Sequence, residues 1–260
     1  MAARLFAAQL HERGNQVVIK NQDGGAGLIA YRRMLASSLR PEILVGPATP
    51  MVTGLLSEAE SFALRRPSQL ICQIYDSKIA VVVRRSDQLD IAELLASGEA
   101  RVSSGGPRSI PYLALKAATT AAGQQFTHIP FRGEYFALLA LAQREVEAAV
   151  VTYSSFVLAS PNLALSVSSG ITSANGGVAE LKSFDERFEF TTSPAVVLVQ
   201  PGASVDLIKF LTTECERFTA DEIARDRLVR LGFEPSFRTG QDAGVSIDML
   251  SRSLMSVVSE

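Results

Sequence analysis

Short runs of apolar and β-branched residues alternate along the chain with stretches whose apolar positions recur at helical spacing. The runs that read as strands are Gln16–Lys20, Glu42–Val45, Leu70–Tyr75, Ile79–Arg84, Ala100–Ser104, Phe126–Phe131, Val146–Thr152, Leu163–Val167 and Ala195–Val199. Two of them, "KIAVVV" and "VEAAVV", are almost continuously apolar, which suits strands covered on both faces by helices. Between the strands, helical spacing predicts Leu28–Ser37, Ile91–Ser97, Ile110–Ala122, Tyr135–Arg144, Val205–Thr219, Ala220–Leu231 and a last helix from Gln241 to Val258. The opening "AARLFAAQL" reads as an amphipathic helix with Leu5, Phe6 and Leu10 on one face. Alternation of this kind predicts an α/β fold with mixed, mostly parallel sheets and helices on both faces.

The helix ends carry ordinary punctuation. Pro111 falls in a first turn, where a missing N–H costs nothing. Gly123 and Gly232 follow their helices as C-terminal stops. The stretch "SSGITSANGGVAELKSFDERFEF" is the least regular and reads as containing a surface loop, with Asp185, Glu186 and Glu189 on a solvated face.

With 260 residues, 47% of them hydrophobic, the chain can bury a substantial core and divide into two domains. A net charge of -2 without long runs of either sign offers no footprint for nucleic acid or an anionic membrane. No apolar run reaches the roughly 18 residues of a membrane span. The N-terminus lacks the basic leader, apolar centre and small-residue cleavage site of an export signal. The two cysteines, Cys72 in a strand and Cys215 in a helix, read as two buried thiols. A disulfide between them would suit an oxidising compartment but does not follow from two positions. Two histidines, and no C-x-x-C or H-E-x-x-H, predict no metal.

Gly25, Gly27 and Ala30 match the G-x-G-x-x-A spacing of a dinucleotide-binding turn. Such a site also needs an acid at the end of the next strand to hold the ribose hydroxyls. That strand ends Val45, Gly46, Pro47, Ala48, with no acid. G-K-[ST] and G-x-S-x-G are absent too. The glycines therefore read as a tight turn, no cofactor is expected, and no catalytic set assembles from the sequence.

What recurs is a strand running into small or hydroxyl residues and then a helix: "RVSSGGPRSIPYLAL", "HIPFRGEYFALLAL", "ILVGPATP" and "AAVVTYSS". Free N–H groups at helix starts attract anions, and hydroxyls and arginines such as Arg108 add donors. In open α/β sheets ligands bind beyond the carboxyl ends of strands. Serine and glycine are equally the usual capping and turn residues.

Taken in order, the segments "AARLFAAQL", "VVIKNQDGGAGLIA", "VSSGGPRSIPYLAL", "THIPFRGEYFALLAL", "VVLVQPGAS" and "RLVRLGFEPSFRTG" resemble the substrate-binding proteins of tripartite tricarboxylate transporters, the Bug receptors. The resemblance covers nearly the whole chain. It implies a two-lobed periplasmic-binding-protein-like fold of type II. Residues 1–86 with 193–260 would form the first lobe and 87–192 the second, with the ligand in the cleft. It implies a receptor, not an enzyme, that binds a small mono-, di- or tricarboxylate in the periplasm. The cargo would pass to membrane permease subunits, without direct membrane insertion by the receptor. Mapped residue by residue, it points to Thr49, Ser103, Ser104, Ser109, Arg132 and Gly133, then Thr152 and Tyr153, as ligand-binding positions.

Three departures stand beside it. The chain starts at the family's first helix, so the family's first strand and its glycine-rich loop are expected to be missing. Val151 stands where the family commonly has an aspartate. Ser193, Pro194 and Ala195 replace an aromatic pair. These departures motivate the alternative of a divergent, non-transport member with altered or lost ligand binding.

Overall fold

The computed structural model describes residues 2–22, 24–37, 42–64, 69–84, 86–87, 91–163, 165–169 and 191–256. The helices are α1 (Ala2–Glu12), α2 (Leu28–Ala36), α3 (Thr49–Val52), α4 (Glu58–Leu64), α5 (Ile91–Ala96), α6 (Ile110–Ala121), α7 (Glu134–Ala142), α8 (Tyr153–Leu163), α9 (Val205–Ala220), α10 (Glu222–Arg230) and α11 (Gly240–Ser256). The strands are β1 (Ile43–Pro47), β2 (Leu70–Arg84), β3 (Arg101–Ser104), β4 (Thr127–Pro130), β5 (Ala148–Thr152), β6 (Leu165–Ser169), β7 (Thr192–Val199) and β8 (Glu234–Thr239). The chain divides into two compact units: Met1–Asp76 with Pro194–Met249, and Ser77–Ser193 with Leu250–Glu260.

In the first unit β1 runs antiparallel to β7, from Ile43 opposite Val199 to Pro47 opposite Ala195. β7 neighbours β2, whose first half pairs antiparallel with β8. The core joins these strands to α1 and α9 through Phe6, Leu10, Ile71, Ile74, Val197, Leu211 and Phe218. The Phe6 and Phe218 rings meet edge-on at 5.4 Å, a favoured aromatic geometry. Glu214 is 1% exposed on α9, yet its carboxylate is satisfied. It accepts from Gln9 Nε2 and from Arg217 Nη1, each at 2.7 Å, so α1 is tied to α9 by a charge-assisted bond.

Cys72 and Cys215 are not the expected pair of free thiols. They form a disulfide linking β2 to α9, with Cα atoms 6.5 Å apart and both residues fully buried. The sequence left the pairing open because neither residue type nor spacing reports which strand faces which helix.

The second unit contains the parallel ladder. β3 lies between β4 and β5 and is parallel to both, with Ser104 opposite Pro130 and Val150. β5 pairs antiparallel with the second half of β2, and β6 also pairs with β2. The sheet is mixed, as expected; among the described pairings the two made by β3 are parallel and the other four are antiparallel. The core here is Ala80, Val82, Leu138, Leu141, Val146, Ala149, Val151 and Leu165.

Two strand expectations need correction. Leu70–Tyr75 and Ile79–Arg84 are one 15-residue strand, β2. The intervening Asp76-Ser77-Lys78 looks like a polar turn, but Asp76 and Ser77 are buried and satisfied. Gln73 Nε2 donates to Asp76 Oδ2 at 2.7 Å, and the Ser77 hydroxyl bonds that of Ser154 at 3.0 Å. Gln16–Lys20 is not a strand: no regular structure forms there, no described strand pairs with it, and Val18 is 82% exposed. Its apolar alternation reaches the core only through Val17.

The glycine turn at 24–27 is therefore not a strand–turn–helix unit. Gly24, Gly25, Ala26 and Gly27 all have positive φ, a conformation in which glycine is nearly free of strain. The turn delivers Leu28 to the start of α2. β8 and α8 were not anticipated. "EPSFRT" carries a proline and charges at its ends, and "YSSFVLASPNL" has serines at its start and Pro161 inside. Of the irregular stretch, Ser168 and Ser169 end β6, and 170–190 with its three acids lies outside the described residues.

Candidate functional site

The parallel order of β3, β4 and β5 brings their carboxyl ends to one edge of the second unit, each followed by a helix: α6, α7 and α8. Seven of the eight expected residues sit there. Thr49 does not: it is the buried first residue of α3 in the first unit, where its carbonyl accepts from the Thr53 hydroxyl at 2.9 Å.

At the end of β3, Ser103 is fully buried and its hydroxyl donates to the carbonyl of Ala137 on α7 at 2.9 Å. Ser104, also fully buried, organises the following turn. Its Oγ donates to the Gly106 carbonyl at 3.0 Å and accepts from the Gly106 N–H at 3.1 Å. His128 Nε2 on β4 approaches the same oxygen at 2.7 Å. The one hydroxyl proton serves either the Gly106 carbonyl or Nε2, and the imidazole tautomer follows that choice. The His128 ring stacks on Tyr112 with centroids 3.7 Å apart. Burial, and then the charge of Lys116, push the His128 pKa down to about 4, so the ring is neutral near pH 7. Ser109 caps α6, accepting from the Tyr112 N–H at 3.4 Å while its hydroxyl donates to the Gly106 carbonyl at 3.0 Å.

A serine beside a histidine is also the start of a nucleophile–base pair. Here the serine is 0% exposed and its oxygen is engaged by the carbonyl and N–H of Gly106, so the contact builds the turn.

At the end of β4, Phe131 N–H donates to the Ser104 carbonyl at 2.9 Å, which joins the second turn to the first. Arg132 is exposed. Gly133 caps α7 at φ 121, and no side chain caps that helix. At the end of β5, Thr152 and Tyr153 lead into α8, and the Tyr153 ring lies 5.9 Å from that of Phe156.

The sequence reading missed the acid among these groups. Glu134, the first residue of α7, reaches across to β5. Its Oε2 accepts from the Thr152 N–H at 3.1 Å and from the Thr152 hydroxyl at 2.6 Å. Gly105 leaves the room for this: a Cβ there would lie 2.9 Å from Glu134 Cγ and 3.2 Å from its backbone nitrogen. An acid in a first helical turn is so ordinary that no sequence pattern singles it out.

No group of three or more potential metal ligands occurs among the described residues, and no described helix is long and apolar enough to cross a membrane.

No protein-family model matches the chain, and no curated protein matches it in sequence. Solved structures do. An adipate-bound protein from R. palustris superposes with a TM-score of 0.82 at 18% identity, covering 100% of this chain and 91% of the other. MatC from Rhodopseudomonas palustris, with bound malate, gives 0.76 at 17% identity, covering 98% and 92%. A TctC solute binding protein from Polaromonas gives 0.67 at 19% identity, covering 99% and 92%. The fold is that of the solute-binding proteins.

The neutral state of His128 has a measurable consequence. A histidine whose folded pKa lies below its unfolded value of about 6.5 gives stability that is present above pH 6.5 and lost as pH falls toward 4. Thermal melts of wild type should therefore drop between pH 7 and pH 4.5 by more than those of His128→Gln. Equal drops would mean that His128 charges as freely in the folded protein as in the unfolded one.

Proposed function

We propose that the chain is an extracytoplasmic receptor that binds a small carboxylate and hands it to membrane permease subunits, without catalysing a reaction. The observation that carries this reading is the convergence of three strand ends and three helix starts on one edge of the second unit. It sits in a fold shared with adipate- and malate-bound proteins. Helix starts oriented this way favour anions. Under this reading Arg132 and the N–H groups near Gly133 contact the ligand. Ser103, Ser104 and Ser109 hold the turns whose backbone faces it, while Thr152 and Tyr153 shape the third. Thr49 remains a candidate on its own unit. The buried disulfide supports an oxidising compartment, since such bonds persist outside the reducing cytosol.

The reading is tested by melting the protein against mono-, di- and tricarboxylates with and without an amino group, adipate and malate among them. A ligand that binds only the folded state, present at 100 times its dissociation constant, adds about 2.7 kcal/mol. A shift confined to one carboxylate class is the expected result. A cooperative melt unmoved by every member would overturn the receptor and favour a divergent protein that kept the scaffold alone. That second reading draws on one observation, the Glu134 carboxylate already bound at the start of α8.

A further inference from the structure

We infer that Glu134 sets the charge of the ligand. The second unit receives a hydrogen-bond donor, such as an ammonium or amide group, on a molecule whose carboxylate is held elsewhere. This rests on the receptor reading above and narrows its ligand class.

The Thr152 N–H opens α8 and would be a natural donor for an anionic ligand. It is already used: this N–H and the Thr152 hydroxyl both donate to Glu134 Oε2. The hydroxyl is held in turn, with Ser155 Oγ 3.0 Å away and the Ser154 hydroxyl donating to it at 3.2 Å. The arrangement is built, because the glutamate backbone and Cγ occupy space that any residue larger than glycine at 105 would fill. Both bonds fall on Oε2. Oε1 has no hydrogen-bond partner among the described residues and is the acceptor left for a ligand. A second carboxylate brought to this edge would meet a like charge and find the Thr152 donors taken, whereas an ammonium or amide N–H would complete Oε1. The exposed guanidinium of Arg132, two residues before Glu134, offers a place for the ligand's own carboxylate.

The test compares each dicarboxylate with its ω-amino analogue, in which an ammonium replaces one carboxylate at the same chain length, by calorimetry on wild type and Glu134→Gln. Glutamine keeps an acceptor for Thr152, and a melt confirms that the variant folds. Wild type should bind the amino analogues at least about tenfold more tightly than the matching dicarboxylates, because only the former pair with a carboxylate. Glu134→Gln should abolish or invert that ratio. Dicarboxylates binding wild type as tightly as their analogues, or a ratio unchanged in Glu134→Gln, would overturn the inference and leave the receptor intact. Binding of no compound to either protein would remove the receptor reading, and this inference with it.

Discussion

Reduction of the Cys72–Cys215 disulfide is expected to lower the stability of this protein by about 5 kcal/mol, the loop-closure value for a bond spanning a sequence separation of 143 residues. The loss is comparable to the whole stability of many domains. The bond joins β2 to α9 inside the first unit, and the loop it closes contains Ser77–Ser193 of the second. Both cysteines are fully buried among Phe6, Ile71, Leu211 and Phe218, so reductant should act slowly on the folded protein and quickly once it opens. Denaturant titrations with and without reductant measure the effect. A change under about 1 kcal/mol would mean that packing around two thiols already holds β2 to α9.

The second large effect concerns Gly240. It opens α11 directly after β8, and its role is space, since a Cβ there would lie 1.8 Å from the Leu70 carbonyl oxygen and 3.2 Å from that of Ile71. Those atoms are β2 backbone and cannot rotate away. Gly240→Ala must therefore push β8 or α11 off β2, at a cost of about 3 kcal/mol or more. The displaced ladder includes Cys72 opposite Thr239, so the damage should couple to the disulfide. Gly133→Ala is the control. Nothing lies within 4 Å of its added Cβ, and only the positive φ resists it, at a cost of about 1–3 kcal/mol. Equal melting points for the two variants would show that the contact with Leu70 relaxes at little cost.

The α/β alternation was legible because the second unit is built from apolar strands covered by helices. "VEAAVV" could be little else than β5. The serine turn after β3 was legible as a helix cap, since Ser109 is followed by Pro111 and a helical apolar pattern. Contacts that join residues far apart in sequence were not legible. The disulfide, the Gln9–Glu214 bond and the Glu134–Thr152 bond depend on which elements meet, which periodicity does not report. β2 was split in two because burial of Asp76 and Ser77 is decided by partners such as Gln73 and Ser154, not by the residues themselves. Gln16–Lys20 failed in the opposite sense: its pattern is strand-like, but no described strand lies beside it.

The hydroxyls behind Glu134 also have a sense of direction. Ser77, Ser154 and Thr152 lie in a row that ends on the carboxylate, with steps of 3.0, 3.2 and 2.6 Å. A carboxylate only accepts, so the Thr152 proton points to Glu134, the Ser154 proton to Thr152 and the Ser77 proton to Ser154. One negative charge thus polarises a line of three rotors reaching to β2. Wherever that charge is removed, each rotor regains a second setting, and the row becomes a small store of orientational entropy.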